Sequence, residues 1–246
     1  MILREMRERW WKRVVESKLE SETTVIKVRG LRPEEAIGRP SRADYPLLKG
    51  REVLLQAEVR GVLGQAFTDE PSDYVGSLLS LYTRQLNANK DRALLVAAIN
   101  ATYRYLDLAT NTKHCRDEGP ELCGKKVAMT LASRLHPASK VVMIGFQPAL
   151  SLYISMVFRN FRVTDKDPDN IVKMKERILI EPYTSNAEVI AWSDAVIATG
   201  STLVNNTIDE IIEWGKGKQL FFYGVTIAAA ACEFNLKRLC FESEFT

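Results

Sequence analysis

Apolar residues follow two different rhythms along this chain, and the change between them divides it. At the N-terminus Leu3, Met6, Trp10 and Val14 recur at three- and four-residue intervals among charges. That spacing predicts an amphipathic helix over residues 1–20. Residues 24–28 fit either a short strand or more helix. From residue 30 to 64, Gly30, Pro33, Gly38, Pro40, Pro46 and Gly50 punctuate short apolar runs. Ala36-Ile37, residues 52–59 and residues 62–67 read as strands of a small antiparallel sheet. Helical spacing returns with Val75, Leu78, Leu79 and Tyr82, which predicts a helix over 72–86 with Ser72 as N-cap. It recurs with Leu94, Leu95, Ala98, Ile99, Thr102, Tyr103 and Leu106, over 89–108. A sheet followed by helices is an α+β arrangement, so a first domain is expected over residues 1–112.

Residues 111–124 are polar, with two glycines and a proline, and read as a linker. Beyond it the rhythm alternates. Strands are expected at 140–145, 161–165, 177–181, 195–198, 218–224 and 238–241. Helices are expected at 125–135, 148–159, 168–175, 184–192 and 227–234, with another starting near Thr207, where Thr207-Ile208-Asp209-Glu210 fits a capping box. Strands that are apolar throughout are buried on both faces. Residues 113–246 are therefore expected to form a Rossmann-like parallel sheet with helices on both faces, and the whole chain a two-domain α/β fold.

Composition narrows the function classes. A net charge of +3 without a dense basic stripe argues against nucleic acid. No apolar run reaches the ~18 residues that a membrane helix needs. The N-terminus is basic but lacks the apolar core of a signal peptide, so a cytoplasmic location is expected. Four cysteines are too few for a disulfide framework in 246 residues. Cys232 and Cys240 sit in apolar runs and read as small buried hydrophobes. Of the adjacent Trp10 and Trp11, one could enter the core and the other meet a second copy, which would make a homodimer.

Loops that follow apolar strands are where such sheets hold ligands. Here they are Gly145-Phe146-Gln147-Pro148, the segment from Asp165 to Pro168, Thr199-Gly200-Ser201-Thr202, and the turn at Gly224. Asn205 and Thr207 continue the third loop into the next helix. Asp165 stands twenty residues after Gly145, the separation at which an acid bonds a ribose hydroxyl in dinucleotide folds. It could equally cap the next helix or pair with Lys166. No Gly-rich phosphate loop accompanies it, and Pro148 removes an N–H where a pyrophosphate would need one, so no dinucleotide is expected. Neither a GxxxxGK[ST] loop nor a G-x-S-x-G elbow is present. His136 reads as exposed structure. His114, Cys115 and Cys123 form the one cluster of soft ligands, but seven residues between the cysteines is no zinc-knuckle spacing. An incidental pair in the linker, a disulfide, or a metal site with three ligands all remain open for it.

The run from Ala195 to Asp209, AVIATGSTLVNNTID, resembles the TGSTLVNGT-(I/L)-D signature of the putative heavy-metal chelation family, a prokaryotic family of unknown function. Gly145-Phe146-Gln147-Pro148 looks like its G-F-x-P turn. Asp165 stands where the family has an acid ahead of the Asp-Pro that is Asp167-Pro168 here. Asn89 and Ala97-Ala98-Ile99-Asn100-Ala101 are similar to the helix of its first domain. The resemblance implies an enolase N-terminal-like domain followed by a Rossmann-like one, with a cleft between them as the binding site. Three departures stand out: Asn206 replaces the usual Gly, GVTIAAAACEF replaces a Pro-containing turn near Gly224, and Leu94-Leu95-Val96 replaces a Gly-rich run.

The expected function is binding of a small molecule or metal chelate by Gly145, Phe146, Gln147, Asp165, Thr199, Gly200, Ser201, Thr202, Asn205, Thr207, Gly224 and Asn89. Because these residues offer few soft ligands, a metal is expected to arrive with an organic chelator. The competing expectation is an enzyme that uses an adenosine-containing cofactor such as S-adenosylmethionine on a small acid, although no histidine falls in the cleft loops to act as a base. A purely structural, partner-binding protein is the third.

Overall fold

The computed structural model describes residues 1–20, 25–50, 52–175 and 178–243. Residues 24 and 177, where two expected strands begin, lie outside them. The N-terminal rhythm forms α1 (Ile2–Glu16), with Leu3, Met6, Trp10 and Val14 buried. Arg13 clamps this helix to Glu233 at 2.8 Å. Then come β1 (Val25–Gly30), the single turns α2 (Pro33–Ala36) and α3 (Pro46–Lys49), β2 (Val53–Val59), β3 (Val62–Thr68), β4 (Tyr74–Ser77), α4 (Leu78–Tyr82) and α5 (Asn89–Tyr105). The four strands make an antiparallel sheet in the order β3-β2-β1-β4. α5 lies on it, buried along most of its length.

The second half alternates: α6 (Gly119–Ala132), β5 (Val141–Ile144), α7 (Pro148–Val157), β6 (Phe161–Asp165), β7 (Met174–Lys175), β8 (Ile178–Pro182), α8 (Asn186–Trp192), β9 (Ala195–Thr199), α9 (Ser201–Val204), α10 (Ile208–Trp214), β10 (Gln219–Tyr223), α11 (Ala228–Glu233) and β11 (Arg238–Leu239). Among the described residues the sheet order is β11-β10-β9-β5-β6-β8-β7. Its pairs are parallel except for the edge strand β7. Val141 and Met143 face one apolar cluster with residues of α6 and α7, while Val142 and Ile144 face another with residues of α5, α8 and α10. Helices thus cover both faces, which is why these strands are apolar at every position.

Several elements differ from their sequence-based expectation. Ala36-Ile37 is not a strand, because Pro33 presets the first turn of a helix there and Glu34 and Glu35 supply its acidic start. The helix expected over 72–86 begins only at Leu78. Residues Tyr74–Ser77 instead pair with β1, leaving Val75 exposed, and Ser77 rather than Ser72 caps the helix by accepting from the Ser80 N–H. Pairing along a free sheet edge outcompeted a helical spacing of only a few residues. The linker is shorter than expected, since α6 starts at Gly119 with Pro120 in its first turn. Residues 168–175 turn back into β7 rather than forming a helix. Ser201 and Thr202, read as turn, open the short helix α9. Thr207 precedes α10 as expected, but its side chain makes no capping bond. Cys232 is exposed on α11, not buried. Among the described residues no helix is long and apolar enough to cross a membrane.

Candidate functional site

From the central strand β5 the chain moves to β6 and β8 on one side, then returns to β9 on the other. The C-terminal ends of β5 and β9 therefore flank a topological switch point, where the loops diverge and leave a crevice. Gly145 ends β5 with φ +89°, and a Cβ there would lie 2.7 Å from the Thr199 Cγ2 across that crevice. Both facts demand glycine.

Asp165 pins the neighbouring loops. Its carboxylate accepts the Phe146 N–H at 2.5 Å and the Asp167 N–H at 2.6 Å. Burial pushes its pKa up, opposed by these bonds. It caps the loop that follows it, while Lys166 pairs with Asp69 at 3.5 Å instead. Gln147 caps α7, its Oε1 accepting the Leu150 N–H at 2.5 Å ahead of a helix that starts with Pro148. In the TGST turn the Ser201 N–H donates to Thr199 Oγ1 at 3.3 Å and the Thr202 hydroxyl to the Thr199 carbonyl at 2.8 Å. Tyr223, the last residue of β10, donates its hydroxyl to the Gly145 carbonyl at 2.8 Å. Asn206 has φ +59°, a conformation that asparagine tolerates better than most residues.

The antiparallel sheet closes over these loops. The Phe67 N–H donates to Thr226 Oγ1 at 3.0 Å. Asn100 donates to the carbonyls of Gln65, Val225 and Thr226 at 2.9, 3.2 and 3.1 Å, and accepts the Ala229 N–H at 2.9 Å. Asn89 donates to Asp69 at 2.6 Å and to Asn205 at 3.3 Å.

Between sheet and loops lies a cavity of about 470 Å³. Gly145, Phe146, Gln147, Asp165, Thr199, Gly200, Ser201, Asn205 and Gly224 stand on its wall, as do His114, Cys115 and Cys123. Thr202, Thr207 and Asn89 do not. Thr202 is buried against the β9 carbonyl and Asn89 bridges the two halves just outside. Sequence reasoning missed Glu52, Asp69, Asp167, Phe67 and Tyr223, which share the wall. Tyr223 obeys the same strand-end rule as Thr199 and could have been found. Glu52 and Asp69 come from the antiparallel half, and no local pattern aims them at a crevice in the other.

Two electrostatic neighbourhoods share the cavity. Glu52 is pushed up to about 7 by loss of hydration and by Asp165, Asp69 and Asp167. Burial likewise raises the pKa of Tyr223. The second neighbourhood holds the thiols of Cys115, Cys123 and Cys240. Burial and the neighbouring thiols push Cys115 up and Cys123 up to about 11. Cys115 and Cys123 are free, with no disulfide. Among the described residues no three His, Cys, Asp or Glu side chains are gathered closely enough to hold a metal ion. His114, Cys115 and Cys123 are therefore not a ready-made metal centre, and the donor set does not fit a bare ion.

Residues 128–237 match the model of a family described as "Putative heavy-metal chelation". Comparison with curated proteins gives no match. Two crystal structures of proteins of unknown function from the same family share the fold. The one from Pyrococcus horikoshii is 17% identical with a TM-score of 0.54, over 92% of this chain and 79% of that one. The one from Desulfitobacterium hafniense is 14% identical with a TM-score of 0.52, over 74% of this chain and 72% of that one. The match to the putative heavy-metal chelation family, over residues 128–237, spans β5 to β10 and the loops of the switch point.

Proposed function

We propose that the chain binds a small organic molecule, alone or as the chelator around a metal ion, in the cavity between its two sheets. The observation that carries this is the cavity's place: about 470 Å³ of space at the C-terminal ends of β5, β6, β9 and β10, roofed by the antiparallel sheet. That volume lies within the ~300–1,000 Å³ of small-molecule pockets. The site combines apolar walls from Phe67, Phe146 and Leu150 with hydroxyl and amide groups from Ser201, Asn205 and Gln147. An organic ligand suits that mixture. A bare ion does not, because the acids and thiols on the wall are dispersed.

A thermal-shift series with free divalent salts, their small-molecule chelates, the chelators alone and S-adenosylmethionine tests the reading. Chelators or chelates raise Tm, free salts do not, and Ser201→Ala reduces the response. Tight binding of a free divalent ion that Asp165→Ala abolishes would overturn the reading. A response to S-adenosylmethionine alone would replace it with the cofactor-dependent enzyme.

A further inference from the structure

Among the described residues, Glu52 stands apart from the other acids on the cavity wall. Asp165 accepts two backbone N–H groups, Asp167 accepts the Asp169 N–H at 2.9 Å, and Asp69 holds Asn89 and Lys166. Glu52 makes no hydrogen bond or ion pair with any described residue, although it lies half-buried beside the cavity. A half-buried carboxylate that no described residue engages is the acid on this wall left open to a ligand. Its charge is further disfavoured by Asp165, Asp69 and Asp167, whose negative charges reach it across the cavity. The wall's lysine, Lys166, is already paired with Asp69.

We propose that this cavity selects a positively charged ligand, an organic ammonium or amidinium or a chelate of net positive charge, and that Glu52 is the contact that receives the charge. The inference rests on the cavity being a binding site and adds the sign of what it binds. A cation entering here relieves the repulsion among the four acids and gives Glu52 a partner that no described residue supplies. Phe67, Phe146 and Tyr223 add aromatic rings to the same wall, and a ring face attracts a cation. Phosphates and polycarboxylates meet the opposite field.

The charged and titratable groups that act on Glu52 are Asp69 after β3, Asp165 at the end of β6, Asp167 after it, and Tyr223 on β10, while Lys166 on the same wall is paired with Asp69. Tyr223 stays neutral because burial raises its pKa. Glu52 itself loses its proton near pH 7. Cation preference therefore strengthens between pH 6 and pH 8.

The cavity contains its own reporter. Cys240 lines it and is half-buried, whereas Cys115 and Cys123 are buried with raised pKa values. With the exposed Cys232 replaced by serine, modification of Cys240 is timed with two thiosulfonate reagents of similar size, one carrying trimethylammonium and the other sulfonate. Taking the ratio of their rates, against the ratio in urea, cancels intrinsic reactivity. A focused negative field makes the cationic reagent faster by about tenfold at pH 8 and low salt. The ratio falls toward pH 6, falls in 0.5 M salt, and drops to about a third of its value in Glu52→Gln. Asp69→Asn lowers it in the same direction should Glu52→Gln fold poorly. A ratio of one or less, or a ratio unmoved in a folded Glu52→Gln, overturns the proposal while leaving a neutral-ligand cleft standing. If neither reagent reaches Cys240 until the protein unfolds, the cavity is closed and the cleft reading fails with the proposal.

Discussion

The join between the two sheets has two parts of opposite character. Around Asn100 it is closed: one buried side chain shares its two amide N–H groups among three carbonyls and accepts one N–H, and Gly64 brings β3 against α5. Around Glu52 the same join opens into a cavity whose wall carries four carboxylates, one of them without a partner among the described residues. Both parts are polar, so polarity alone does not separate scaffold from site. Satisfaction does. A buried amide with its bonds made holds two elements together, whereas a carboxylate without a partner raises the energy of the empty protein.

If that contrast is right, damage to the closed part is costly. The largest effect is expected from Gly64→Ala. A Cβ there would stand 2.0 Å from the Ala101 backbone nitrogen, which belongs to a helix and cannot swing aside. The cost is about 3 kcal/mol or more, a fall in Tm on the order of 6–12 °C. A loss below about 1 kcal/mol in thermal denaturation would mean that the seam gives way easily. Asn100→Ala comes next, at about 2–3 kcal/mol by urea unfolding, because it strands a buried N–H and several carbonyls at once. Asn100→Asp keeps the size but replaces the donating amide with a carboxylate oxygen that faces the carbonyls of Gln65, Val225 and Thr226, and should cost at least as much.

How far the sequence foretold this differs between the two halves. Strands β5, β9 and β10 are apolar at nearly every position and bounded by Gly or Asp, so their existence and the ligand-facing loops after them were readable locally. So was the buried stripe of α1. The antiparallel half was harder. Val75 is exposed on an edge strand, yet its spacing to Leu78, Leu79 and Tyr82 copies a helix. Pro33 was read as punctuation when it starts a turn of helix. Site residues followed the same division. Gly145, Asp165 and Ser201 announce themselves by position in the α/β alternation. Glu52 stands just before β2, far along the chain from the Gly145 loop, and only the tertiary closure of one sheet over the other makes it a cavity residue.

Damage to the open part should have the reverse sign. Glu52→Gln removes a charge that the folded protein disfavours. The folded pKa of about 7 lies above the ordinary 4.5, so folding takes up a proton between those values. Glu52 therefore costs nothing below about pH 4.5, and its penalty grows as pH rises through 7. Glu52→Gln should stabilise by about 1–2 kcal/mol at pH 8, allowing for partial solvation at the cavity rim. Near pH 4.5 the difference should vanish. Urea midpoints across pH 4.5 to 8 read this directly, and a variant less stable than the parent at pH 8 would place Glu52 with the scaffold.

Asp165 is the intermediate case, since it belongs to both parts: it faces the cavity, yet it is bonded to Phe146 and Asp167. Asp165→Asn keeps one carbonyl oxygen to accept an N–H and turns an amide donor toward the other. The lost bond costs about 1 kcal/mol. Removing a charge that burial and Asp167 already disfavour returns part of that. The net change at pH 8 should be the smallest of the series, under about 1 kcal/mol. Its value lies in what happens to Glu52. Asp165 is the first of the neighbouring charges that hold Glu52 near 7, so without it the midpoint of the Glu52 pH effect moves down. A double-mutant cycle of Asp165→Asn with Glu52→Gln, followed by urea unfolding from pH 4.5 to 8, would show that coupling as non-additivity above pH 6. Strict additivity at every pH would mean that the two carboxylates do not share one field, and the cavity's acidic character would then rest on Asp69 and Asp167.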